Sequence, residues 1–131
     1  MKLYESGENY LEAILILTKE KGYVRSVDLA LKMNFSKASI SRAISKFKEN
    51  NLVVVSQDGL IFLTENGREV AKKIYERHCF LYSCFKFLGV CDDVAKKDAC
   101  RLEHAMSQET FEKLKEYFEP FIKNKKIEKI L

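Results

Sequence analysis

One β-hairpin signal interrupts a chain otherwise patterned for helices, and this limits the fold more than any other feature. Residues 52 to 64 read LVVVSQDGLIFLT. Two β-branched and aromatic runs, LVVVS (52–56) and LIFLT (60–64), flank a segment ending in Asp58-Gly59, a pair suited to a tight hairpin turn. Before it, Tyr10, Leu11, Ile14, Leu15 and Leu17 recur at helical spacing between Glu5 and Lys21, and Gly22 stops the run. Ser26 offers an N-cap for a short helix carrying Val27, Leu29, Ala30 and Met33. Ser36 offers another for a helix to about Asn50, with Ile40, Ala43, Ile44 and Phe47 inward. A helix, two short helices joined by a tight turn, and then a hairpin make a winged helix-turn-helix.

The remainder reads as helices alone. Thr64 can cap a long one to about Leu88, in which Val70, Ile74, Leu81, Phe85 and Leu88 keep three-and-four spacing and His78 lies in the same series. A fifth runs from about Asp92 to Met106. Ser107 caps a sixth whose stripe of Phe111, Leu114, Phe118 and Phe121 is too aromatic for a freely solvated helix, and predicts a dimer interface. The lysine-rich KNKKIEKIL at the end predicts a short extra helix or a frayed end. The expected fold is therefore mainly α, with a winged helix-turn-helix over residues 1–70 and a helical domain over 71–131.

With 131 residues and 47% hydrophobic content, the chain can bury one ordinary domain or two small ones. MKLYESGENY carries acids and lacks a signal peptide's apolar run, and no stretch reaches membrane-spanning length, so the sequence reads as cytoplasmic with no membrane partner. Cys79, Cys84, Cys91 and Cys100 form no C-x-x-C pair, which suits a reducing compartment and argues against a zinc ribbon or a disulfide scaffold.

A net charge of +4 and a pI near 8.8 are compatible with a nucleic-acid partner but common among soluble proteins. The placement of the charge says more. In SKASISRAISKFKEN, residues 36 to 50, Lys37, Ser39, Ser41, Arg42 and Lys46 are polar between the inward positions, and the small Ser36, Ala38, Ser39 and Ser41 permit close approach to a major groove. Duplex DNA is the expected partner. The wing tip, Ser56-Gln57-Asp58-Gly59, has no basic residue, which predicts backbone and polar contacts to phosphate there. Two copies are the expected working unit, because a single module binds weakly.

DACRLEHAMS, residues 98 to 107, places Cys100, Glu103 and His104 on one helix face. Thiol, carboxylate and imidazole are all metal ligands, yet a Cys near Leu102 and Met106 is equally a small buried hydrophobe, and such a triplet alone does not decide.

SGENYLEAILIL, the helix-turn-helix, NNLVVV with LTENGREVA, ERHCFL and above all DACRLEHAMS together resemble the metal-dependent repressors of the diphtheria toxin repressor and manganese transport regulator type. The resemblance covers nearly the whole chain. It implies a winged-helix domain followed by a helical dimerisation and metal-binding domain, with divalent metal between them. It places ligands at Glu12, His78, Cys100, Glu103 and His104, and at Asn9, whose amide offers only a neutral carbonyl oxygen as a weak ligand or outer partner. Both histidines of the chain fall on ligand positions. Glu12 follows the manganese type and Cys100 the iron type. Tyr82 and Lys96 stand where iron-type members have two ligands of an ancillary site, which is therefore expected to be absent in its usual form. The length matches the short, manganese-type architecture.

The implied activity is that of a homodimeric, metal-activated transcriptional repressor of iron- or manganese-uptake genes. Hard carboxylates suit Mn(II), and the thiolate tilts toward Fe(II), Co(II), Ni(II) or Zn(II), so the metal stays open. A metal-independent winged-helix regulator would share the DNA-binding half but ignore chelators. A small metalloenzyme is disfavoured by the lack of H-E-x-x-H, of a phosphate-cradling glycine loop and of a cleft-forming insertion.

Overall fold

Helix starts fall where a side chain can satisfy backbone N–H groups that have no partner within the helix. In the computed structural model, which describes residues 5–123, Ser36 Oγ accepts from Ser39 N at 3.2 Å, Thr64 Oγ1 from Gly67 N at 3.1 Å, and Ser107 Oγ from Thr110 N at 3.2 Å. These three caps open α3 (Lys37–Glu49), α4 (Glu65–Phe87) and α6 (Gln108–Lys123); α1 spans Glu5–Lys21, α2 Ser26–Met33 and α5 Asp92–Ala105. Ser26 does not cap α2. It is the first helical residue, and Asp28 inside the first turn accepts from Arg25 N at 2.8 Å instead. The lysine-rich end lies outside the described residues beyond Lys123.

The chain divides into two units that meet within α4, one ending at Lys73 and the other starting at Ile74. In the first, β1 (Val53–Val55) and β2 (Ile61–Leu63) form an antiparallel hairpin with Val54 opposite Phe62. Both strands are shorter than the five-residue runs expected. Ile61 N also donates to the carbonyl of Val24 at 2.8 Å, so the segment before α2 flanks the hairpin. Leu11, Ile14, Leu29, Ile40, Val53 and Ile61 are fully buried, and the Tyr10 ring packs at 5.6 Å from Phe35 and 5.9 Å from Phe47. Gly67 has a steric reason: a Cβ there would lie 2.0 Å from the carbonyl oxygen of Leu52.

The second unit contains the rest of α4 with α5 and α6. Phe80 meets Phe111 edge to face at 5.5 Å, and Phe87 lies 6.0 Å from Phe121. Ala95 and Ala99 have no solvent exposure, which lets α5 pack closely. Leu88 departs from the expected stripe. It lies beyond the end of α4 and is 63% exposed, because the chain turns there into Gly89 at φ +93°, a backbone region that glycine enters without a Cβ penalty. No helix among the described residues is long and apolar enough to cross a membrane.

Candidate metal centre and nucleic-acid interface

Glu103, in the last full turn of α5, has no solvent exposure. An ionised carboxylate at such a point needs a compensating charge, because burial alone strongly disfavours it. Two imidazoles stand against its oxygens. His78 Nδ1, from α4, lies 2.9 Å from Glu103 Oε2, and His104 Nε2 lies 3.1 Å from Oε1. The His104 contact is an ion-pair distance without hydrogen-bond alignment, so Oε1 is a buried acceptor with no hydrogen-bond partner among the described residues. Burial raises the Glu103 pKa, and the contacts with His104 and then His78 outweigh it, holding the carboxyl below its ordinary value.

This set fits a divalent transition metal chemically. Imidazole nitrogen and carboxylate oxygen suit first-row ions, and a bound cation would balance the charge of the buried carboxylate. Cys100 sits one turn earlier on α5, half-buried and with a free thiol. Glu12 is buried on α1, at 8% exposure, and Asn9 is half-buried on the same helix. Tyr82 and Lys96 are engaged with Asp92. The Tyr82 hydroxyl donates to the Asp92 carboxylate and Lys96 Nζ lies 3.0 Å from it, and the Tyr82 bond followed by that of Lys96 lowers the Asp92 pKa.

In the first unit, α3 buries Ile40, Ile44 and Phe47 and turns its polar face outward. Ser36, Lys37, Ala38, Ser41, Arg42 and Lys46 are exposed, and Ser39 is half-buried. Arg42 Nη2 lies 3.4 Å from Ser39 Oγ. The wing tip gains a cation that its own residues lack, since Arg25 donates from its guanidinium to the carbonyl of Asp58. Sequence reasoning missed Arg25 because its partner lies 33 residues away. It also missed Arg77, which stands beside His78 and bonds the end of α5.

Two family models match the chain. The N-terminal DNA-binding domain of the iron dependent repressors covers residues 2–60, and their metal-binding and dimerisation domain covers residues 64–131. An HTH-type transcriptional regulator of Methanocaldococcus jannaschii is 34% identical over 119 residues, covering 89% of this chain and 95% of its own. The HTH-type transcriptional regulator MntR of Shouchella clausii is 29% identical over 119 residues, covering 91% and 83%. Among solved structures, a manganese-dependent transcriptional repressor in complex with manganese has a TM-score of 0.76 at 27% identity, over 86% of this chain and 52% of its own. T. acidophilum IdeR shares the fold, with a TM-score of 0.75 at 22% identity, over 91% and 55%. This chain spans about half the length of those two solved chains.

Proposed function

Since the chain belongs to the iron-dependent repressor family, we propose that it represses iron- or manganese-uptake genes as a metal-dependent, DNA-binding homodimer. The observation that carries the metal half is the buried Glu103 carboxylate against two imidazoles. A bound Fe(II) or Mn(II) would supply positive charge beside this buried carboxylate. His78, Glu103 and His104 are the proposed ligands, with Cys100 and Glu12 completing the set and Asn9 as a weak or outer partner. Residues 71–131 form the metal-binding and dimerisation domain in this reading. Tyr117 and Phe121, 67% and 47% exposed on α6, supply apolar surface for a second copy.

Residues 1–70 form the reading head. Arg42 and Lys37 lie early on the outward face of α3, where they reach base edges and phosphates. Ser36, Ala38, Ser39 and Ser41 keep the helix surface small, and Lys46 adds a phosphate contact. Arg25 at the wing adds a further cation. Linkage requires that DNA tighten metal binding by the factor by which metal tightens DNA binding.

The test is selection from random-sequence duplex DNA under anaerobic conditions with Mn(II), with Fe(II), and with chelator. A defined sequence should be enriched only with metal, and its affinity should rise by roughly 5- to 150-fold over the chelated protein. The same sequence enriched with equal affinity in chelator would establish a metal-independent regulator instead.

A further inference from the structure

The turn of α5 that carries Glu103 and His104 is gripped by a side chain outside the ligand set. Arg77, on α4, donates through Nη1 to the carbonyls of Glu103 at 3.1 Å and Met106 at 2.5 Å, and through Nη2 to Oε1 of Gln108 at 2.8 Å. Its guanidinium carbon stands 5.1 Å from the centroid of the Phe111 ring. The last carbonyls of a helix have no donor within it and carry the negative end of its dipole, so a fixed cation there answers both. A guanidinium can reach two carbonyls and an amide oxygen in one plane, which an ammonium cannot.

Two features make this more than a helix cap. The gripped carbonyls of Glu103 and Met106 bracket His104, so the backbone that aims two proposed ligands is tied at both ends of the turn. Arg77 also immediately precedes His78, so its fork links the backbone carrying one proposed ligand to the backbone carrying the other two.

We propose that Arg77 is a positioning residue for the metal centre: it sets the placement of Glu103 and His104 relative to His78 before metal arrives, and so sets metal affinity. This rests on the metal reading given under the proposed function. Partners that orient ligands from outside typically account for roughly 10- to 100-fold in metal affinity.

The test uses the full chain and anaerobic Co(II) titration against a competing chelator, with the visible d–d spectrum and metal-free thermal unfolding recorded in parallel. Arg77→Met should weaken Co(II) binding by roughly 10- to 100-fold and shift the d–d band, and Arg77→Lys, which keeps the charge without the fork, should fall between. Phe111→Leu loosens the same corner while leaving the guanidinium bonds, and should lower the unfolding temperature without moving the spectrum or the affinity. Should Arg77→Met not fold, Arg77→Lys carries the comparison. Wild-type affinity and spectrum in the arginine variants overturn the proposal alone. Losses in Phe111→Leu equal to those in the arginine variants also overturn it, since affinity would then only follow stability. A wild-type chain that binds no Co(II) overturns the metal reading and this proposal with it.

Discussion

On α3 the side chains proposed to meet DNA, such as Lys37, Ser41, Arg42 and Lys46, are exposed, while at the end of α5 Glu103 has no exposure and His104 shows 3% at its side chain. The first region holds its charges in water, where they cost little and stay open to a partner. The second holds a carboxylate and the His104 imidazole out of water, with His78 half-buried beside them, where each depends on the others. Binding and folding are therefore separable on α3 and coupled at α5. A surface charge can be removed with little effect on the fold, whereas a buried, paired carboxylate cannot.

The largest effect should come from the scaffold beneath the exposed face. Gly67→Ala places a Cβ where the Leu52 carbonyl stands, so it should cost about 3 kcal/mol or more. Chemical denaturation would read this as a lower midpoint, and a midpoint within error of wild type would mean that the wing and the start of α4 separate freely.

Glu103→Gln should lower stability by roughly 1 to 3 kcal/mol, because a neutral amide leaves the two imidazoles poorly matched. It should also abolish Mn(II) or Co(II) binding. Calorimetric titration and thermal unfolding on one preparation test both, and a variant that keeps either property breaks the coupling argued for this region.

Arg42→Ala should weaken the selected DNA sequence by roughly 1 to 3 kcal/mol and relax preference at one position, with the unfolding midpoint changed by less than about 0.5 kcal/mol. Lys46→Ala should weaken all sequences alike and lower the salt slope by about one. Equal losses of stability and DNA affinity in these variants would erase the contrast between the two regions.

The smallest effect concerns the thiols. Burial pushes the Cys84 thiol up from 9.0 to about 11, while Cys91 is exposed. A maleimide at neutral pH should label Cys91 well before Cys84. A group whose folded pKa is raised stabilises the fold below the unfolded pKa and loses that contribution as pH rises through the folded value. Stability from Cys84 should therefore decline between about pH 9 and 11, and Cys84→Ala should flatten that part of the profile.

The caps at Ser36, Thr64 and Ser107, the inward row Ile40, Ile44 and Phe47, and a hairpin turn ending in Asp58-Gly59, which the Gly59 N–H closes onto the Ser56 carbonyl, were all legible from neighbouring residues. Each depends on backbone satisfaction or periodicity within about one turn. The α2 cap is not legible locally because Ser26 and Asp28 both suit a helix start, and the choice depends on how the chain enters from Val24, whose carbonyl is held by Ile61. Periodicity puts Leu88 on the α4 stripe because a periodic pattern does not reveal that the backbone has already turned.

By itself, the sequence determined the order of elements, the outward polar face of α3 and, through DACRLEHAMS, the residue types at the end of α5. Tertiary structure alone decided that His78 meets Glu103 across 25 residues, that Arg77 reaches Met106 across 29, and that Tyr82 on α4 closes on Asp92 of α5. Local pattern sets which face a helix buries, since side-chain direction repeats every turn. Which residues of two helices touch depends on how their surfaces interlock, and no spacing within one helix encodes that register.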